Sequence, residues 1–199
     1  MKYVLSTILA VSSISTVFAQ PAMGTFDAGA QVTAARSSEF DRPDVGFGGR
    51  FGWRAAGPIS VEAEINSYPS DFPDGVPFSA ARVEGFFGAT IGPRLDRVRP
   101  FAKLRPGFMT FRAAPEPIAC ILIFPPPLSC TLASGRTLFA FDLGGGVEVA
   151  ATRRTFLRFD AGDRVVKYPG PVFDSDRTAH ENGFASHDFR FALGAGVRF

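Results

Sequence analysis

Several features common in soluble or catalytic chains are missing from this sequence. After the first residues, no stretch approaches eighteen consecutive apolar positions, which excludes membrane-spanning helices. Net charge is close to absent. The formal +2 at pH 7 includes Lys2, and a chain without that residue carries +1. So near a balance argues against a nucleic-acid partner and against electrostatic docking on a membrane surface. Lysine occurs only at Lys2, Lys103 and Lys167, which is unusual for a soluble secreted protein. No metal-ligand spacing, phosphate loop or dinucleotide motif is found, so no cofactor and no metal is expected. The run Gly144-Gly145-Gly146 lies within a strand pattern rather than ahead of a helix. Histidine is confined to His180 and His187, and cysteine to Cys120 and Cys130.

What is present begins with a leader. Lys2 supplies a positive start, Tyr3 to Ile14 form a short apolar run, and Val17-Phe18-Ala19 places small residues before a cut after Ala19. This predicts a cleavable export signal over 1–19 and a single mature domain over 20–199. In an exported chain Cys120 and Cys130 are free to pair, closing a ten-residue span in which "ILIFPPPLS" is unusually apolar for a loop.

The rest of the chain alternates. At the end, Phe189, Phe191, Leu193, Ala195, Val197 and Phe199 share one parity, and Asp188, Arg190, Ala192, Gly194, Gly196 and Arg198 share the other. Similar alternation runs through 26–34, 45–54, 59–66, 81–91, 100–108, 139–149 and 157–162. With the last segment this predicts eight strands of about the ten residues a tilted strand needs to cross a bilayer. Long polar or Pro-rich connections at 35–44, 67–79, 113–135 and 168–186 alternate with short ones near Gly57, Gly92 and Thr152. That asymmetry is expected of an all-β, eight-stranded antiparallel up-and-down transmembrane β-barrel with both termini at its periplasmic end. A soluble barrel or sandwich alternates as well. The membrane reading is favoured because the polar parity mixes Gly and Ala with matched charges, as a narrow interior requires. Aromatics at strand ends (Trp53, Phe111, Phe156 and Phe199) also suit interfacial girdles.

Eight strands enclose an interior that side chains just fill. The inward parity carries Arg50, Glu62, Glu64, Arg82, Glu84, Lys103, Arg105, Asp142, Glu148, Arg158, Asp160 and Arg190. Buried charges persist when paired, so these predict a stapled lumen rather than a substrate site or a diffusion pore. Arg82 is expected to pair near Glu84, and Lys103 or Arg105 to face Glu62 and Glu64.

Three stretches carry a resemblance: "VRPFAKLRPGF" at 98–108, "FDLGGGVEVAATRRTFLRFDAGD" at 141–163 and the terminal "RF". In their order and spacing, across nearly all of 25–199, they resemble the eight-stranded outer-membrane β-barrel domain, similar to the transmembrane half of OmpA and to OmpX-like proteins. Arg105-Pro106 stands where that family commonly has small residues, and no peptidoglycan-binding second domain is read. The resemblance implies a cell outer-membrane location in a Gram-negative envelope. It also implies Phe199 as the signal read by the barrel-assembly machinery, although a girdle aromatic without a signalling role is the plainer alternative. The partners expected are outer-membrane lipid and lipopolysaccharide, periplasmic chaperones and the assembly machinery, and an extracellular ligand through the loops. The chain is expected to be a monomer with a role in envelope integrity or surface interaction. Small barrels of this size can also modify lipid A. That chemistry needs a nucleophile, base and carboxylate in reach, but Ser186 and His187 have opposite parity, and His180 and Glu181 read as loop residues. No catalytic residue is therefore assigned.

Overall fold

A computed structural model of the chain describes residues 25–39, 43–54, 57–69, 81–113, 120 and 123–199. The leader expected over 1–19 lies outside the described residues, as does most of the second long connection. The described strands are β1 (Thr25–Arg36), β2 (Pro43–Arg54), β3 (Ile59–Tyr68), β4 (Arg82–Ile91), β5 (Val98–Phe111), β6 (Arg136–Ala150), β7 (Thr155–Tyr168), β8 (Val172–Phe173), β9 (Ala179–His180) and β10 (Phe184–Arg198). A short helix, α1 (Leu128–Ala133), lies between β5 and β6. The long strands close in the order β1-β10-β7-β6-β5-β4-β3-β2, every neighbouring pair antiparallel. β8 and β9 form a small separate hairpin within the last connection. Closure between β1 and β10 leaves the described barrel wall without a free sheet edge.

The pleat sends successive side chains to opposite faces, and the burial follows. Phe47, Phe87, Leu104, Phe139, Phe159 and Leu193 are exposed on the outside, and Arg50, Glu84, Lys103, Arg105, Asp142 and Arg190 are buried inside. An apolar exterior around a charged interior inverts a soluble protein, and it fits a wall solvated by lipid. Inward glycines give large side chains room. A Cβ on Gly88 would meet Arg105 Cγ at 3.0 Å, and one on Gly146 would meet Phe101 Cζ at 2.7 Å.

The structure departs from the sequence reading in three ways. First, β5, β6, β7 and β10 extend beyond the segments with clear alternation. At the upper ends of β5, β6 and β7 apolar residues point inward as well (Met109, Phe111, Leu138, Ala140, Val166 and Tyr168), so the contrast that reveals a strand fades. Second, the first connection shortens to 37–42 because β1 and β2 run on past the expected ends. Third, Phe111 and Phe156 are not girdle aromatics. Both are buried inside the barrel, where guanidinium groups lie over their rings, whereas Trp53 and Phe199 do face outward.

Candidate functional site: a charge-filled lumen under an apolar lid

The lumen is built in tiers, starting from the end where the short turns and the C-terminus lie. Arg54, at the end of β2, bonds Asp27 at 3.1 Å and Glu148 at 2.6 Å, and Arg198 also contacts Glu148. In the next tier Arg158 reaches across the barrel to Glu62 at 2.6 Å and binds Asp160 on its own strand at 2.8 Å. Arg50 stands 3.9 Å from Asp160. Lys103 forms an ion pair with Asp142 at 3.0 Å and lies 3.8 Å from Asp160. Higher still, Arg105 joins Glu64 at 2.7 Å and also contacts Asp142. Arg190 contacts Glu64 and approaches Glu84 at 3.2 Å and Asp142 at 3.3 Å. At the top Arg164 bridges Glu84 and Asp188, each at 2.6 Å. Neutral groups complete the network: the Tyr68 hydroxyl donates to Glu84 at 2.9 Å, and the Asn66 amide donates to Glu64 at 2.7 Å and Glu84 at 3.0 Å.

All the inward charges named from the sequence are buried, but one pairing differs from expectation. Arg82 does not pair beside Glu84; it bonds Asp44 on β2, with its guanidinium 5.0 Å from the Tyr68 ring. Of the two cations offered for the place opposite Glu62 and Glu64, Arg105 takes it and Lys103 does not. Lys103 turns to Asp142 and Asp160, leaving Arg105 alone to reach Glu64 and, at 3.7 Å, Glu62. Closure decides this. Strand tilt and register set the height at which each head meets the opposite wall, and cross-barrel neighbours are far apart in sequence. Asp27, Arg54, Arg164 and Asp188 join the network although the sequence reading did not place them in it. Parity alone would have found them, since each lies on the inward face of its strand.

Above the charges the interior turns apolar. α1 lies across the mouth, with Leu128 and Leu132 buried among Phe86, Met109, Phe111, Leu138, Val166, Tyr168 and Val172. A bond from Phe173 N–H to the Pro126 carbonyl (3.0 Å) ties this lid to the last connection. Cys120 and Cys130 form a disulfide, Cα–Cα 6.0 Å, that joins the incoming chain to the helix. The apolar stretch between them therefore divides. Leu128 folds inward, while Phe124, 82% exposed, and Ile123 remain in the open; residues 121–122 lie outside the described residues.

The histidines do not converge on a nucleophile. His187 lies outside the wall with Nδ1 2.6 Å from Asp163, whereas Ser186 points inside beside Asp188. His180 bonds Asp174 at 2.8 Å in the last connection, near Glu181. On the outer surface, where β6 and β7 part above the Ala140–Val166 pair, a cleft of about 510 Å³ is lined in part by Phe139, Lys167, Pro169 and Glu181. Among the described residues no cluster of His, Cys, Asp and Glu is arranged to hold a metal.

An apolar exterior, a closed eight-stranded wall and a salt-bridged interior define a transmembrane β-barrel of the outer-membrane type. Solved structures share this fold. The attachment invasion locus protein Ail of Yersinia pestis, solved with the heparin analogue sucrose octasulfate, aligns with a TM-score of 0.54 at 14% identity over 89% of this chain and 100% of that one. Neisserial surface protein A aligns with a TM-score of 0.52 at 15% identity over 91% of this chain and 100% of that one. No protein-family model and no curated protein matches the sequence.

Proposed function

We propose that this chain is an integral protein of the bacterial outer membrane, exported by its leader and inserted by the barrel-assembly machinery with periplasmic chaperones. In this reading it acts without catalysis, as a monomer, through its long loops in envelope integrity or surface interaction. The observation that carries this reading is the combination of a lumen filled by paired charges with a mouth closed by α1. Among the described residues the interior is filled by side chains, and in this reading the work falls to the outer face. There the disulfide-bonded loop holds Phe124 and Ile123 out in solvent, where they can meet a partner. Lipid and lipopolysaccharide are the surroundings of the apolar wall. The separation of His187 from Ser186 by the thickness of that wall supports the non-catalytic reading over lipid A chemistry.

The test is heat-modifiability. Folded in detergent, the unboiled protein should migrate apart from the boiled form and give a β-dominated circular dichroism spectrum. A chain that folds in plain buffer without detergent would overturn the membrane reading.

Phe199 stacks on Phe26, ring centroids 6.4 Å apart, and is 67% exposed at the short-turn end. We propose it as the assembly signal. Deleting it should slow appearance of the heat-modifiable form severalfold in pulse-chase, with export unchanged. Assembly at the normal rate would leave it only a girdle aromatic.

A further inference from the structure

Arg99 is the exception in the lumen. It is 5% exposed, yet among the described residues no carboxylate stands within salt-bridge distance of it. Its Nη2 donates only to neutral oxygens: Ser60 Oγ at 2.8 Å, the Pro58 carbonyl at 3.3 Å and Thr90 Oγ1 at 3.4 Å. Glu148 is its direct partner across the β5–β6 ladder, but that carboxylate is turned to Arg54 and Arg198. Glu62 lies within electrostatic range and is already held by Arg158. A buried cation with no counter-charge is costly, and every other tier of this lumen avoids one.

The surroundings make the imbalance larger. Arg94, exposed in the turn between β4 and β5, lies within electrostatic range of Arg54, Arg198 and Glu148. Arg54, Arg99 and Arg198 thus gather around Asp27 and Glu148, three guanidinium groups about two carboxylates, with the exposed Arg94 at the rim. Three N–H groups here are buried without an acceptor: Arg54 Nη1, Arg99 Nη1 and Arg198 Nε. The group is not sealed off, since Arg198 is 21% exposed at its side chain and Arg94 is open to solvent.

We infer that the short-turn mouth of the barrel is an anion site, in which Arg54, Arg94, Arg99 and Arg198 take a phosphate-class oxyanion. Guanidinium groups bind phosphate oxygens in bidentate fashion and keep their charge when enclosed. A bound oxyanion would supply the counter-charge that Arg99 lacks, and its oxygens would satisfy the orphaned donors. Enclosure of Arg99 limits the ligand to a small ion or to the phosphate of a headgroup at the rim. The site stands on the geometry of this mouth and does not depend on what the loops bind.

The test uses the folded protein in micelles of a neutral detergent, with its unfolding midpoint followed against inorganic phosphate at constant ionic strength set by chloride. Phosphate should raise the midpoint saturably where chloride does not. Arg99→Gln and Arg94→Gln should each weaken the apparent affinity by about tenfold or more. Arg94 lies on an exposed turn, so its variant reads the site even if the Arg99 variant folds poorly. Arg177→Gln, in the opposite connection, should respond like the parent. Repeating the titration in vesicles separates the sources. A response lost only when phosphatidylglycerol is included assigns the site to a headgroup phosphate, and a response kept there assigns it to a free oxyanion. No preference for phosphate over chloride, or an undiminished response in the Arg94→Gln protein, would overturn the site.

Discussion

Glu62→Ala combined with Glu84→Ala should lower unfolding stability by about 6 kcal/mol, measured by urea titration in vesicles. Glu62 accepts two bonds from Arg158, at 2.6 and 2.9 Å, and one from Thr90 at 3.3 Å. Glu84 accepts from Arg164, Tyr68 and Asn66. Removing one member of a buried ion pair strands the other and costs about 3–5 kcal/mol. The lower figure is expected at each site, because Arg158 keeps Asp160 and Arg164 keeps Asp188. The two carboxylates sit in different tiers, so their costs should nearly add. The parent protein should pass no steady current in a planar bilayer, and the double variant should leak as water enters beside its stranded arginines. A steady channel in the parent, with ordinary stability in the double variant, would mean that the lumen is a water path.

The second large effect is expected at the lid. Leu128→Ala with Leu132→Ala should destabilise the barrel by about 4 kcal/mol, because each truncation in a packed apolar cluster costs about 2–5 kcal/mol. The two leucines are neighbours on one helix face, so the sum is discounted. Both are buried against the inward ends of β5, β6 and β7, so the loss should appear in global unfolding rather than as local fraying. Conductance should stay absent, since the salt-bridged tiers lie beneath the lid. Unchanged stability would mean that α1 rests on the mouth without packing into it.

Much of this was legible in the sequence, for a definite reason. In 188–199 and in 81–91 the inward and outward sets differ sharply in polarity, and the pleat turns that difference directly into two faces. The same contrast failed at Met109, Phe111, Leu138 and Val166, where the inner face is as apolar as the outer. Strand ends and the core under the lid were therefore missed. Phe111 and Phe156 were misplaced for a related reason. An aromatic near a strand end suggests an interfacial girdle, but side is set by parity, and their parity is inward.

The sequence by itself determined that the chain alternates, how many long strands it forms, and which face each charge occupies, because these follow from local backbone geometry. Which charge meets which was decided only by closing the wall. Arg190 and Glu64 lie 126 positions apart, as Arg158 and Glu62 lie 96 apart, and tilt and register alone bring them to one height. The same closure gives Glu148 to Arg54 and Arg198 and leaves Arg99 beside it without an acid, since a carboxylate can turn only one way.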